Sequence, residues 1–70
     1  MKLTPRQEQI VELVCGPRRL SYPAVAVELG ISLYTVQHHA QQIRWRLGCR
    51  EARARVVMEA YYRENVESGA

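Results

Sequence analysis

Few residues in this chain could do chemistry. His38 and His39 are adjacent, Cys15 and Cys49 lie far apart, and all seven acidic residues are glutamates. General acid–base or nucleophilic catalysis needs paired carboxylates in a cleft, or a nucleophile beside its base. Phosphate transfer needs a glycine-rich loop. Neither pattern is present, so catalysis is not expected. Zinc wants four well-placed ligands, and two lone cysteines plus two neighbouring histidines do not have that spacing. No metal, cofactor or small-molecule ligand is expected, and no disulfide in a chain without a secretion signal. The two thiols are read as small buried side chains.

What remains is hydrogen-bonding and cationic chemistry. Gln37, His38, Gln41 and Gln42 stand close together, with Thr35 and His39 among them and Arg44 and Arg46 just beyond. Glutamine can bond an adenine edge in bidentate fashion, and the arginine fork matches phosphate. These residue types point to nucleic acid.

Elements must hold those residues. Residues 20–48 read as two short amphipathic helices meeting at Gly30-Ile31-Ser32, the pattern of a helix-turn-helix. Ser32 caps the second of these, helix 3, which runs to Leu47 before Gly48 stops it. At 100° per residue, Val36, Ala40, Ile43 and Leu47 fall on one side. Tyr34, His38, Gln41 and Trp45 form the opposite stripe. Gln37 and Arg44 flank that stripe on one edge, and Thr35, His39, Gln42 and Arg46 on the other. This outward face carries no acidic residue. A solvated polar face is the bland alternative, but Tyr34 and Trp45 strain it, since two large aromatics on one solvent face are uncommon. For Trp45, near the helix C-terminus, packing is favoured over base contact. For His38, groove contact is favoured over an uncharged surface histidine.

The flanking elements are helical too. Thr4, Pro5 and Gln7 write a capping box for helix 1, whose apolar face is Ile10, Leu13 and Val14 with Val11 beside it; Gly16-Pro17 ends it. A basic loop, GPRRL, leads to Ser21, which caps a short helix 2 with Val25, Ala26 and Leu29 inward. Residues from Glu51 to about Val66 read as helix 4, poorly capped, with Ala52, Val56, Ala60 and some of Val57, Tyr61 and Tyr62 inward. No strand alternation and no repeat occurs. The expected class is all-α: one four-helix domain over residues 1–66 with a central helix-turn-helix, and a short frayed tail over residues 67–70.

Seventy residues make one domain, and a core this small supplies only about 3–5 kcal/mol, so a partner or a second copy would help. The net charge of +3 is uneven: 0 over residues 1–16, +4 over residues 17–50 and −1 over residues 51–70. Positive charge therefore gathers on the helix-turn-helix and the loop before it, as phosphate binding would want. No apolar run is long enough to span a membrane, and the N-terminus lacks a signal-peptide segment, which leads to an expectation of a cytoplasmic protein.

The same residues resemble the LuxR/GerE-type helix-turn-helix domain over Leu3 to about Tyr61. The matching pieces are Leu3-Thr4-Pro5-Arg6-Gln7-Glu8, Val11-x-Leu13-Val14, Leu20-Ser21 and Val25-Ala26-x-x-Leu29-Gly30-Ile31-Ser32. They continue with Thr35-Val36-x-x-His39, Ile43 and Leu47-Gly48. Their order and spacing together are specific. The resemblance implies a four-helix domain whose third helix enters the major groove and whose fourth helix pairs two copies. It implies base contacts at Gln37, His38 and Gln41, and backbone contacts at Thr35 and His39. Ser32, Tyr34, Arg44, Arg46, Arg18 and Arg19 join the candidate backbone contacts, and Val57, Tyr61 and Tyr62 form the candidate dimer face. Because Thr4-Pro5 opens the domain almost at Met1, a small stand-alone member without a sensor domain is expected.

Departures from the family pattern are also visible. Gln37 stands where Lys is frequent, and Leu33 and Tyr34 stand where polar or charged residues are usual. Trp45 replaces a frequent basic residue, the Gly16–Arg19 loop is longer than usual, Ala24 replaces a common Glu, and Arg55 breaks the usual helix 4 pattern. The expected function is sequence-specific binding of double-stranded DNA in transcription regulation, as a homodimer. The alternative is a protein-interaction module aimed at RNA polymerase or another regulator, as the related region 4 domain of sigma factors contacts polymerase as well as DNA. Leu33, Tyr34 and Trp45 motivate it, since aromatic anchors are favoured at interfaces.

Overall fold

In the computed structural model, which describes residues 3–48 and 53–67, the elements are α1 (Pro5–Cys15), α2 (Tyr22–Leu29), α3 (Leu33–Arg46) and α4 (Ala54–Tyr62). A five-residue π-helical segment, Arg63–Glu67, continues α4. The described residues contain no strand. The fold is all-α, with four helices around one core.

Each start is fixed by local chemistry. The Thr4 hydroxyl accepts from the Gln7 backbone N–H at 3.2 Å, and the Thr4 backbone N–H donates to Gln7 Oε1 at 3.0 Å. This capping box satisfies two otherwise orphaned donors at the start of α1. Ser21 and Ser32 cap α2 and α3 through Ala24 N–H and Thr35 N–H. Only α4 lacks a side-chain cap, since Arg53 at that position makes no capping bond.

The turn between α2 and α3 is a Schellman motif. Gly30 sits at φ 68°. Its N–H donates to the Val27 carbonyl at 3.3 Å, and the Ile31 N–H donates to the Ala26 carbonyl at 3.0 Å. A left-handed residue is required there, which glycine supplies without a Cβ penalty. Gly16 answers a different need: a Cβ there would collide with the Glu12 carbonyl oxygen.

The core is built from Ile10, Val11 and Val14 of α1, Val25 of α2, Val36 and Ile43 of α3 and Met58 of α4, all essentially without solvent exposure. Helix α3 packs on all three other helices, whereas α2 and α4 do not pack on one another. Val11 is more deeply buried than Leu13, so the inner face of α1 is turned slightly from its expected centre.

Helix α4 corrects the sequence expectation. Val56 is 56% exposed and Ala60 is also exposed, while Val57 and Met58 are buried and Ala54, Tyr61 and Tyr62 pack against the core. The inward set, positions 54, 57, 58 and 61, is spaced as one helical face. It is rotated by about one residue, roughly 100°, from the expected Val56–Ala60 face. Without a cap to mark the helix start, two adjacent valines gave no reason to choose between the two registers. Ala52, also expected inward, lies outside the described residues.

Candidate nucleic-acid interface

Helix α3 is held rigidly. The Thr35 N–H donates to Ser32 Oγ at 3.0 Å, and the two hydroxyl oxygens lie 2.9 Å apart. Val36, Ala40 and Ile43 anchor the inner side. With that side fixed, the opposite side must face outward. Tyr34 is 76% exposed and Trp45 52%, and Gln37, His38 and Gln41 are all exposed. The expected stripe is therefore present on the surface, and in this chain nothing packs over Trp45.

The stripe is internally ordered. The Tyr34 and His38 rings stack with centroids 6.5 Å apart and 15° between their planes. His38 Nε2 lies 3.2 Å from Gln42 Nε2. His38 is thus positioned by a ring one turn before it and an amide one turn after it. Gln37 and Gln41 are left one turn apart with outward-facing amides, the groups that can read base edges.

His39 differs from its neighbour. It is half-buried, and its Nδ1 is buried with no hydrogen-bond partner among the described residues. Burial, then Arg6, then His38 push its pKa below the ordinary histidine value. The ring is neutral near pH 7, and a phosphate placed against it would favour the protonated form. Thr35 lies beside it, also half-buried.

The arginines divide. Arg18 donates to Glu28 Oε1 at 3.0 Å, and Arg19 lies 3.6 Å from Glu59 Oε1. Both loop cations expected to meet phosphate are thus already beside carboxylates. Arg44 and Arg46 lie in the last turn of α3, where cations complement the helix dipole. Arg44 also lines an open groove of about 610 Å³ between α2 and α4, together with Arg53, Arg55, Tyr22, Leu33 and Gln37. Among the described residues, the charged groups lining it are all arginines. The Arg55 guanidinium lies 5.8 Å from the centre of the Tyr22 ring, across the gap between the two helices.

Sequence reasoning missed Arg53 and Arg55. Segment charge hid them, because residues 51–70 sum to −1. The glutamates responsible lie elsewhere on the fold: Glu59 faces Arg19, for example. A finer signal was available, since Arg53 and Arg55 precede the first buried residue of α4 and Glu59 and Glu64 follow it.

The expected dimer face is largely occupied. Val57 is only 6% exposed, and Tyr61 and Tyr62 are half-buried against the chain's own core. The Tyr61 hydroxyl donates to Glu8 Oε1 at 3.0 Å, tying α4 to α1. The exposed apolar residues of this end of the chain are Val56 and Val66.

Cys15 is buried and free, and burial is the main cause pushing its thiol pKa up, which leaves it unreactive. Cys49 and Arg50 lie outside the described residues. No group of three or more histidine, cysteine or acidic side chains able to hold a metal occurs among the described residues. Nor is any described helix long and apolar enough to cross a membrane. No family model, curated protein or solved structure matches the chain.

Proposed function

We propose that this chain is a sequence-specific, double-stranded DNA-binding transcription regulator of the LuxR/GerE helix-turn-helix kind, with α3 in the major groove. One observation carries the reading: α3 is anchored on one side by fully buried residues and presents Gln37, His38 and Gln41 to solvent on the other, with no acidic residue among them. The major groove admits a helix of this width, and amide side chains at successive turns can address neighbouring base pairs. Ser32, Thr35, His39 and Arg46 border the face where phosphates would pass. A cytoplasmic location goes with this reading.

A single module of 70 residues offers little contact area, and pairing two copies on an inverted repeat would raise affinity. If α4 supplies that contact, its exposed Val56 side is available, whereas Val57 is not. The test is selection of bound duplexes from a random pool. The expected product is a defined half-site, present twice with dyad symmetry. Gln41→Ala should then relax one base-pair position at a cost of about 1–3 kcal/mol. A pool that returns no enriched sequence, or binding without salt dependence, sinks the reading.

A second reading is favoured by the exposure of Leu33, Tyr34 and Trp45: a surface for RNA polymerase or another regulator. Trp45→Ala separates the two. Loss of a captured polymerase subunit with duplex binding intact supports the second; the reverse supports the first.

A further inference from the structure

We infer that the groove between α2 and α4 is a seat for the DNA backbone, in which Arg53 and Arg55 act with Arg44 on the phosphates of one strand. The inference rests on the DNA-binding reading and adds to it the path of that strand and two contact residues.

The groove exists because α2 and α4 both pack on α3 but not on each other. Across the gap, Arg55 lies over the Tyr22 ring, an arrangement that holds the guanidinium plane in place. Arg53 is exposed at the N-terminus of α4 and Arg44 is half-buried on α3, so cations from two helices converge on one open channel with no described acidic residue in its lining. Such a channel suits an extended polyanion better than a small enclosed anion.

Two features favour a nucleic-acid strand over an acidic protein segment. First, Gln37 lines the groove and also borders the base-reading stripe. A strand whose bases meet Gln37 therefore has its phosphates near the channel mouth. Second, the edges of α3 match the geometry of a helix in a groove about 12 Å wide, which has one sugar–phosphate wall on each side. Leu33, Gln37 and Arg44 share one edge, and Thr35, His39 and Arg46 share the other. The second edge was expected to meet a backbone. The first edge leads into the channel, where the apolar faces of Leu33 and Tyr22 suit deoxyribose and the arginines suit phosphate.

The test uses the full chain and a duplex obtained by selection, with affinity measured against salt for wild type, Arg53→Gln, Arg55→Gln and the double variant. Arg18→Gln is the control, removing the same charge from a residue already paired with Glu28. Arg55→Lys retains the charge if the cation–π contact alone is what folding needs to lose, and thermal unfolding checks that every variant is folded. The double variant should bind at least tenfold more weakly, with a salt slope shallower by about 1.8, at roughly 0.9 per phosphate released. Its base preference at the Gln41 position should not change. Neutral methylphosphonates at the phosphates flanking the half-site should weaken the wild type but not weaken the double variant further.

A folded double variant with wild-type affinity and slope overturns the inference and leaves the DNA-binding reading standing. Altered base preference with an unchanged slope also overturns it, because the arginines would then be positioning α3. Wild-type chain that binds polyglutamate but no duplex removes both readings together.

Discussion

Two basic regions of this protein look alike as sequence and differ as surfaces. Arg18 and Arg19 sit together in the loop between α1 and α2, and each faces a carboxylate, Glu28 or Glu59. Arg53 and Arg55 sit at the start of α4 beside a channel whose described charged lining is all arginine. The first pair staples the loop to α2 and α4 and adds little outward potential. The second pair adds potential beside the face of α3. Positive charge counted along a chain is therefore not positive potential on its surface; what matters is which carboxylates folding brings within a few ångströms. Exposed ion pairs such as Arg18–Glu28 contribute little to stability and are screened by salt, so they shape the electrostatic map more than the folding energy.

The contrast can be broken most severely at α4, because the channel exists only where that helix is seated. Met58 has no solvent exposure, and Met58→Ala should cost about 2–5 kcal/mol. In a core of this size that is enough to unseat α4 or unfold the chain, and urea denaturation will measure it. Next in size is the turn that sets α2 against α3. Gly30→Ala places a Cβ on a left-handed residue and should cost about 1–2 kcal/mol, with the thermal midpoint falling accordingly.

A smaller and more pointed change unmasks the loop. Glu28→Gln removes the partner of Arg18 and should raise duplex affinity about two- to threefold, while stability changes by less than about 1 kcal/mol. Unchanged affinity would place the loop away from the duplex. The smallest effect concerns the other edge of α3. His39 has a pKa lowered in the folded state, so the unfolded chain binds more protons as pH falls through the ordinary histidine value. Stability should therefore decline below about pH 6.5. Duplex affinity should move the opposite way, rising as pH falls, because a phosphate favours the protonated ring. His39→Gln should flatten both profiles, read by thermal melts and binding across pH.

The legibility of the fold varies along the chain for physical reasons. The first three helices carry their own punctuation: Thr4, Ser21 and Ser32 caps, a Gly30 turn and apolar spacing between them, all local interactions that a short window of sequence contains. The outward stripe of α3 follows by subtraction once Val36, Ala40 and Ile43 are known to face inward, and Tyr34, Gln37, His38, Gln41 and Trp45 are on the surface as expected. Helix α4 has no such punctuation. Arg53 does not cap it, and Val56 and Val57 are equally apolar, so both registers gave an acceptable inner face. Packing against α1 and α3 decides for Val57 and Met58, and that choice turns Val56 and Ala60 outward.

The sequence by itself determined the all-α class, the first three helices, the helix-turn-helix and the composition of the face that α3 presents, because each depends on contacts within a few residues. Tertiary structure alone decided the register of α4, the pairing of Arg18 and Arg19 with distant glutamates, the burial of His39 Nδ1 and the channel between α2 and α4. Those properties depend on residues far apart in the chain meeting in space: Arg55 reaches Tyr22, and Glu59 reaches Arg19. Charge and burial are sums over neighbours, and most of the neighbours that matter at this surface are set by the fold.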